Sequence, residues 1–387
     1  MAKLSSICTL FTDGDWIESK DQSDSGIRLI QTGNIGEGCF LEKEGKEKYI
    51  SRDTFERLKC EEVFSGDILI SRLPEPVGRA CIIPNKHERM ITAVDCSICR
   101  VDETLVTKEY LCYFLQSRSY YQQLQNDVAG TTRKRISRKN LGEVEIHIPT
   151  FEVQRKVTDI LDKVTVIIEG RKQEMQALDN LIKSRFVEMF GEPMTNSKGY
   201  ELKTYGELFE LNAGGTPSKQ KPEYWDAGTI SWIGSNMCQN AVIYENDGNY
   251  ITEEGLRHSS ARVFPIDTVL VALVGATIGK TALLKFATTT NQNVLGIRGI
   301  REKGFVPEFV FYYTQGLYQK FLNIGDGGFA MASKGFISEL PMPIVELSLQ
   351  EQFADFVVRV DKLKFEVQKS LDEAQTLMDS LMQQYFG

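Results

Sequence analysis

A dense cluster of positive charge is the first feature that could contact another molecule. The stretch "AGTTRKRISRKN" (129–140) places five basic residues within seven positions, namely Arg133, Lys134, Arg135, Arg138 and Lys139. Such side chains neutralise DNA phosphates, and an arginine guanidinium donates two hydrogen bonds to guanine O6 and N7. The formal net charge of −8 argues against a protein that coats nucleic acid by bulk attraction. The cluster therefore predicts a local DNA contact, and a solvated charged face is the alternative.

A second group of polar residues occupies loops rich in glycine, proline and serine, or the entries of short strands. Asn and Gln amides can bind adenine N6 and N7 together. In the second half, we predict DNA contacts at Lys219, Lys221, Asn236, Gln239, Asn291, Gln292 and Asn293. The comparable first-half candidates, in "IRLIQTGNI", are Arg28, Gln31 and Asn34. The competing interpretation is that these side chains only hydrogen-bond their own turns.

The stretch "LVGATIGKTALL" (273–284) has some features of a phosphate-binding loop. Only three residues separate Gly275 from Gly279, whereas that loop needs four so that its backbone N–H groups curl around the anion. A parallel stretch in the first half, "VGRACII", carries Gly78 followed by Arg79, so Lys280 has no lysine counterpart. We therefore predict a strand, a turn and a second strand here, and no nucleotide site.

Motifs for catalysis and metal binding are missing from the sequence. No G-x-G-x-x-G follows a strand-like run, and there is no H-E-x-x-H, G-x-S-x-G or Asn/Asp-Pro-Pro-aromatic pattern. Cys96 and Cys99 form a lone C-x-x-C, and the three histidines are scattered, so a zinc ligand set is not assembled. We expect a chain that is not an enzyme and that binds no metal or cofactor of its own.

The eight cysteines and the apolar runs indicate a cytoplasmic protein. Seven of the cysteines fall in the first third of the chain, without a paired framework, as expected for reduced and buried thiols. The sequence shows no secretory signal, and its longest apolar run, "VLVALVGA", is far shorter than a membrane span.

An internal repeat organises the elements that must position these residues. The segment "SRKNLGEVEIHIPTFEVQRKVTDILDKV" (137–164) aligns without a gap on "SKGFISELPMPIVELSLQEQFADFVVRV" (333–360). Gln154 lies over Gln350, and Asp159 lies over Asp355. The partner of the basic cluster, "GGFAMASKGF" (327–336), keeps only Lys334 as a predicted DNA contact, so the two halves should read different bases.

Both copies of the repeat lead into long helices with a coiled-coil pattern. Apolar residues step by three and four along each helix, with a change of phase near Gly170. The residues predicted to pack between the helices are Val157, Ile160, Val164, Ile167, Leu178, Phe353, Phe356, Val360, Leu363 and Leu371. Two such helices on one chain bury their stripes most economically against each other.

The predicted fold class is therefore α+β. It comprises two globular domains separated by two long helices packed as an antiparallel coiled coil, as a pseudo-two-fold internal repeat. The predicted bounds are 1–149 and 192–346 for the globular domains, and 150–191 and 347–387 for the helices.

Several of these stretches together resemble the specificity subunit of type I restriction-modification systems. They are "GGTPSKQKPEYWDAGTISWI", "GATIGK" followed by "NQN", and the Ser-Lys lead into a long helix, with "DGDWI" and "GDILISR" in the first half. The resemblance covers essentially the whole chain. The first half departs from the pattern where "PEPVGRACII" stands in place of "ATIGK".

The resemblance implies a DNA-recognition subunit without catalytic activity. Each globular domain would read one half of a bipartite double-stranded DNA target, and the helices would set the spacing. Two methyltransferase (modification) subunits and the restriction/translocase subunits would be partners. S-adenosylmethionine, ATP and magnesium would belong to those partners.

Two other classes of protein remain open at this level. One is a stand-alone P-loop NTPase or nuclease with an unrecognised site. The other is a coiled-coil scaffold that never touches DNA, which a salt-dependent DNA affinity would exclude.

Overall fold

The computed structural model describes residues 1–74, 76–125, 134–324 and 331–387. The chain divides into a first unit, Met1–Lys172 with Lys369–Gly387, and a second unit, Gln173–Gln368. The first unit has the strands β1 (Ala2–Lys3), β2 (Cys8–Asp13), β3 (Gln22–Ser23), β4 (Ile27–Ile30), β5 (Tyr49–Ile50), β6 (Glu62–Val63), β7 (Ile68–Ser71), β8 (Ala80–Ile82), β9 (Met90–Thr92), β10 (Cys96–Val101) and β11 (Glu145–Ile146). The helices that begin in it are α1 (Arg52–Leu58), α2 (Lys108–Phe114), α3 (Arg118–Gln125), α4 (Arg138–Gly142) and α5 (Phe151–Phe190).

The second unit has a similar order of elements. Its strands are β12 (Leu202–Thr204), β13 (Glu210–Ala213), β14 (Ile230–Ile233), β15 (Ala241–Ile243), β16 (Tyr250–Ile251), β17 (Val269–Ala272), β18 (Thr281–Leu284), β19 (Thr289–Thr290), β20 (Val294–Arg298) and β21 (Pro341–Pro343). Its helices are α6 (Tyr205–Leu208), α7 (Glu253–Arg257), α8 (Pro307–Gly316), α9 (Tyr318–Leu322), α10 (Lys334–Ser338) and α11 (Leu347–Phe386).

The two units share a core of equivalent strand pairs, and β3 and β6 extend one sheet of the first unit only. The order β2-β10-β7-β8 in the first unit corresponds to β13-β20-β17-β18 in the second, where β15 adds a fifth strand. The order β5-β4-β9 likewise corresponds to β16-β14-β19. Strand β4 pairs parallel with β9, and β14 pairs parallel with β19. The internal repeat read from the sequence is thus a repeat of topology, and the α+β prediction is confirmed.

Strands β7 and β17 are buried on both faces, which explains their continuous apolar sequences. In β7, Ile68 and Ile70 pack toward the helices, whereas Leu69 packs toward the β4–β9 sheet. In β17, Val271 packs in the core that includes the helices, and Leu270 packs in the other core of the unit. Successive side chains of a strand point to opposite faces, so such a strand joins both layers of its unit. Each buried Ile, Leu or Val contributes about 1.5–3 kcal/mol relative to exposure.

A buried glutamine ties the start of each long helix to its own unit. Gln154 accepts a hydrogen bond from the backbone N–H of Thr107 (2.8 Å) and donates to the Pro149 carbonyl (2.9 Å). Gln350 accepts from the backbone N–H of Val306 (2.9 Å) and donates to the Val345 carbonyl (2.8 Å). The identity seen in the repeat therefore preserves a structural role.

The helices α5 and α11 each contain 40 residues and begin and end within one residue of the predicted bounds. In the first unit, Val164 and Ile168 pack with Leu371 and Ala374. In the second unit, Phe186 packs on Phe353 with ring centroids 5.3 Å apart, and Asp179 pairs with Lys364 at 2.7 Å. Higher numbers on α5 meet lower numbers on α11 in each unit, so the helices pack antiparallel.

The packing seam differs in phase from the predicted one at several positions. Ile167 and Leu363 are 48% and 55% exposed, and the seam runs through Ile168 and Lys364 instead. Each is apolar and lies at a helical interval in the sequence, but its neighbour faces the partner helix.

The remaining predicted packing residues divide by burial. The buried ones are Val157, Val164, Phe353 and Val360. The half-buried ones are Ile160, Leu178, Phe356 and Leu371. Ile160 and Phe356 flank fully or nearly fully buried Leu161 and Val357.

The predicted change of phase near Gly170 does not occur. From Ile168 the inward positions continue without a break through Arg171, Met175, Leu178 and Ile182. Arg171 occupies an inward position and donates from Nε to Ser370 Oγ at 3.1 Å. Because a polar residue lies within the seam, the apolar pattern in the sequence is interrupted there although the packing is continuous.

Candidate nucleic-acid interface

In the second unit, the carboxyl ends of four strands meet at the turn Asn291–Asn293. The turn leads from β19 into β20, and the ends of β13, β14 and β17 are tied to it or to the strand residues beside it. Four backbone hydrogen bonds hold this arrangement: Gly214 N to Val294 O (3.0 Å), Gly215 N to Thr290 O (2.8 Å), Asn291 N to Ile233 O (3.1 Å) and Leu273 N to Asn293 O (2.8 Å). We call this turn, with the loops that follow β13, β14 and β17, the second-unit edge.

The first unit has an equivalent edge with the same backbone bonds. They run from Gly14 N to Cys96 O (2.9 Å), Asp15 N to Thr92 O (2.9 Å), Ala93 N to Ile30 O (3.0 Å) and Arg72 N to Asp95 O (2.9 Å). We call the turn Ala93–Asp95, with the loops that follow β2, β4 and β7, the first-unit edge. The two edges share a backbone and differ in side chains.

Most of the amides predicted from the sequence lie together at the second-unit edge. Gln292 accepts a hydrogen bond from Thr216 Oγ1 at 2.5 Å, which joins the turn to the loop after β13. Asn291 accepts from the backbone N–H of Asn293 at 3.0 Å, so its carbonyl oxygen is engaged by its own turn. Asn236 and Gln239 are exposed on the loop after β14, and Gln239 donates to the Asn236 carbonyl at 2.9 Å.

Two tryptophans fix the loop that carries Lys219 and Lys221. Trp232 donates from Nε1 to the Gly215 carbonyl at 3.1 Å, and Trp225 donates to the Ser218 carbonyl at 3.2 Å. Both lysines are exposed. A hydrogen bond to Tyr224 raises the pKa of Lys221 above its usual value. The loop thus presents two positive charges on a fixed backbone.

The stretch around Lys280 is a hairpin turn between β17 and β18. These strands pair antiparallel, and the chain continues after the turn as a strand, whereas a phosphate-binding loop leads into a helix. Gly279 has φ = +73°, the left-handed region that favours glycine. Lys280 donates to Gln239 at 2.9 Å. The prediction of a strand–turn–strand element is confirmed, and the loop belongs to the second-unit edge.

The described residues of the basic cluster lie at the first-unit edge. Arg135 Nη2 is 3.5 Å from Asp95 Oδ1, and Arg138, the first residue of α4, donates to Thr12 Oγ1 at 3.1 Å. Lys134 and Lys139 are exposed. Arg133 lies outside the described residues. The position of α4 corresponds to that of α10, which begins at the exposed Lys334.

The three first-half candidates in "IRLIQTGNI" occupy different environments. Arg28 is 3% exposed, with its guanidinium 3.5 Å from Glu42 and over the Tyr49 ring. Asn34 is also buried, and its amide donates to the Leu41 carbonyl at 3.0 Å. Gln31 alone of the three is exposed, directly after β4. Arg28 and Asn34 contact neighbouring parts of their own unit, and neither is exposed on the edge.

Two residues of the first-unit edge, Trp16 and Asp95, are not among the contacts predicted from the sequence. Trp16 is 70% exposed on the loop after β2, and its Nε1 donates to Glu18 at 3.4 Å. Asp95 lies in the turn that corresponds to Asn291–Asn293. The quoted motif "DGDWI" contained the tryptophan, but nothing in the order of residues marked Asp95 as a neighbour of Arg135.

The described residues contain no group of three His, Cys, Asp or Glu side chains that could hold a metal ion. Cys96 and Cys99 both lie in β10 and are buried, but they belong to cores on opposite faces of the sheet. Burial raises the pKa of the Cys96 thiol to about 12. None of the helices in the described ranges combines the length and apolarity needed for a membrane span.

Comparisons with known proteins agree with the repeat. A family model for the type I restriction modification DNA specificity domain matches residues 1–179 and again residues 197–374. The specificity subunit of the Escherichia coli type I restriction enzyme EcoR124I/EcoR124II is 24% identical over 284 residues, which cover 70% of this chain and 67% of that protein.

Two solved structures have the same fold along the whole chain. One, from a study of complex assembly and conformational transition in the type I R-M system, has a TM-score of 0.59 at 15% identity, and the match covers 100% of this chain and 96% of that one. The S subunit of a type I restriction-modification system from M. genitalium has a TM-score of 0.54 at 14% identity, with coverages of 100% and 95%.

Proposed function

The chain belongs to the type I restriction-modification DNA specificity family, and from that premise we propose that each unit reads one half of a split double-stranded DNA target. The chain is a DNA sequence-specificity subunit and not itself an enzyme. Two alternative hypotheses are not favoured: a P-loop NTPase or nuclease, and a scaffold that never touches DNA.

The equivalence of the two edges is the observation that carries the proposal. Each edge gathers several strand ends on one backbone framework. In the first unit this framework presents Gln31, Arg135, Arg138 and neighbouring lysines, whereas in the second it presents amides and lysines. Phosphate contacts fix the register of a protein on DNA, and contacts to base edges supply sequence preference. Two like frameworks with unlike side chains therefore suit a target whose halves differ in sequence.

We assign the spacing of the half-sites to α5 and α11. A helix of 40 residues is about 60 Å long at 1.5 Å per residue. Half-sites on one face of DNA lie about 34 Å apart, or a multiple of that distance. The continuous seam makes these helices stiff, and stiffness is what a spacer between two reading units requires.

The helices also offer a surface for protein partners. In the second unit, a groove of about 1000 Å³ is lined by α5, α8, α11 and β15. Its exposed aromatic residues are Tyr244 and Phe365, and burial raises the pKa of Asp361 within it. Aromatic residues are enriched in protein–protein interfaces. We assign this groove to a methyltransferase subunit, with two such subunits and the restriction/translocase subunits completing the complex.

S-adenosylmethionine, ATP and magnesium would then be bound by the partner subunits. The methyltransferase must flip its target base out of the duplex, which costs a few kcal/mol. Binding at both edges by this chain holds the DNA while that happens. The isolated chain is expected not to hydrolyse ATP, transfer methyl groups or cut DNA.

Methylome sequencing of cells that express the chain with its methyltransferase subunit tests the proposal. The expected result is one bipartite motif with a fixed gap, which disappears when this chain is omitted. A control culture should carry Asp53→Asn, at an exposed residue of α1, and should show the same motif as wild type. Methylation that is unspecific, or that does not depend on this chain, would contradict the proposal.

A further inference from the structure

Arg135 and Asp95 form a partly exposed ion pair at the first-unit edge. The nearest atoms, Nη2 and Oδ1, are 3.5 Å apart. Asp95 ends the turn that corresponds to Asn291–Asn293, so it occupies a position that the second unit fills with an amide residue. The pair therefore places the guanidinium donors of Arg135 directly beside the carboxylate acceptors of Asp95.

Buried Arg72 holds both members of this pair in place. Its guanidinium donates to the carbonyls of Val94 and Ile136, which are the chain neighbours of Asp95 and Arg135. Its backbone N–H donates to the Asp95 carbonyl at 2.9 Å, and its carbonyl accepts from the Ile136 N–H at 3.3 Å. Leu273 stands at the equivalent position of the second unit and lacks these side-chain donors. The arrangement is therefore particular to the first unit.

Two aspartates at the end of β2, Asp13 and Asp15, are instead engaged by other groups of the first unit. Asp13 accepts from Ser97 Oγ at 2.8 Å and lies 3.2 Å from Arg72 Nε. Asp15 accepts from the backbone N–H of Glu61 at 2.9 Å, and burial raises its pKa. Asp95 differs because its carboxylate pairs with an exposed arginine. An unpaired carboxylate would be repelled by the DNA phosphates, but a carboxylate beside a guanidinium is not.

We propose that the Arg135–Asp95 pair reads one G·C base pair in the first half-site. In the major groove, guanine presents the acceptors O6 and N7, and cytosine presents the N4 amino donor beside them. The Arg135 guanidinium donates to guanine, and the Asp95 carboxylate accepts from cytosine N4. An A·T pair lacks two adjacent acceptors for the guanidinium. This inference rests on the proposed function and specifies the chemistry that the first unit recognises.

Selection of bound duplexes from a randomised library by the full-length chain, in complex with its methyltransferase subunit, tests the pair. Wild type should select a bipartite motif with a G·C position in the first half-site. Asp95→Asn and Arg135→Ala should each lower the preference for that pair at least about tenfold, and the second half-site should not change. Asp53→Asn and Arg52→Ala, at exposed residues of α1, serve as controls that leave the preferred bases unchanged.

The outcomes separate the inference from the function on which it rests. If wild type selects a bipartite motif and both variants keep every preference of the first half-site, the pair does not read a base and the inference is wrong. The same holds if Asp95→Asn relaxes an A·T position, because Asp95 would then read the adenine N6 amino group. If wild type selects no bipartite motif, the proposed function itself fails and the inference falls with it.

Discussion

At the scale of single residues, backbone hydrogen bonds form the framework of the first-unit and second-unit edges. The side chains on that framework differ between the units. The four backbone bonds of each edge use only N–H and C=O groups, so they tolerate Ala93 and Asp95 in one unit, and Asn291 and Asn293 in the other. A side chain can change here without loss of the framework. On the proposed function, this separation would allow one topology to serve two different half-sites.

The basic residues of the first-unit edge should neutralise DNA phosphates. Replacing Lys134, Arg138 and Lys139 with alanine should weaken DNA binding at all sequences. The salt slope of log affinity should fall by about one for each phosphate that is no longer neutralised. Fluorescence anisotropy of labelled duplexes over a range of salt concentrations measures this slope. Arg52→Ala is the matched control, since Arg52 is an exposed arginine on α1 that pairs with Glu56 at 3.0 Å. An unchanged slope in the triple variant would assign the cluster to a solvated surface.

The carboxylate of Asp267 should make the stability of the second unit depend on acid pH. Burial opposes ionisation of Asp267, but hydrogen bonds from Lys285 (2.9 Å) and Arg301 (2.8 Å) outweigh it and lower the pKa of this carboxyl. A lowered folded-state pKa stabilises the protein above the unfolded-state value near 3.9, and this contribution is lost as pH falls through the folded-state pKa.

Asp267→Asn should therefore destabilise the protein by about 1–3 kcal/mol at pH 7. The difference in unfolding free energy between this variant and wild type should persist down to about pH 5 and disappear in stronger acid. Urea unfolding at a series of pH values checks this. The exposed Asp247→Asn serves as the control. A difference that grows on acidification would contradict the sign of the pKa shift.

At the scale of elements, the partner helix decides which apolar residues form the seam. Adjacent pairs such as Ile167–Ile168 and Phe356–Val357 satisfy the heptad pattern almost equally well. Only contact with Leu371 and Ala374 distinguishes Ile168 from its neighbour. Periodicity therefore predicted the existence and direction of the helices but not their rotation about their own axes.

Two isoleucines on α5 provide a matched test of the seam. Ile168→Ala should destabilise the protein by about 2–5 kcal/mol, because it opens a cavity between the helices. Ile167→Ala removes the same atoms from an exposed site and should change stability by no more than about 0.5 kcal/mol. Urea unfolding of both variants measures the difference. An equal loss of unfolding free energy in the two variants would show that the seam is assigned to the wrong residues.

At the scale of the whole molecule, two repeated units share two continuous helices. Each helix begins in one unit and ends in the other, because the boundaries fall after Lys172 and after Gln368. A change in helix length should therefore alter the gap between the half-sites and leave the half-sites themselves unchanged.

Insertion of four residues after Gly170, with four more after Gln368, tests the helices as a spacer. A Cβ at Gly170 would have no neighbour within 4 Å, so the site accepts substitution. The insertion adds about 6 Å, or roughly two base pairs at 3.4 Å each. Methylome sequencing should show both original half-sites separated by a longer gap. An active complex that keeps the original gap would contradict the spacer role, and circular dichroism verifies that the helices remain folded.

The sequence by itself determined the repeat, the α+β class, both long helices and the family. These depend on local periodicity and on comparison of one half of the chain with the other, which need no long-range contact. It also excluded a phosphate-binding loop at Lys280, because the number of residues between two glycines fixes the possible backbone geometry. The basic cluster was visible because charge density is a property of consecutive residues.

Only the tertiary structure decided which residues share an edge. Asp95 and Arg135 are 40 positions apart in the sequence, and buried Arg72, from a third segment, joins their neighbours. Arg28 and Asn34 looked like surface donors in the sequence, yet the fold buries both. The physical reason is that strand pairing sets the exposure and neighbours of a polar side chain, and pairing between distant segments leaves no local mark in the order of residues.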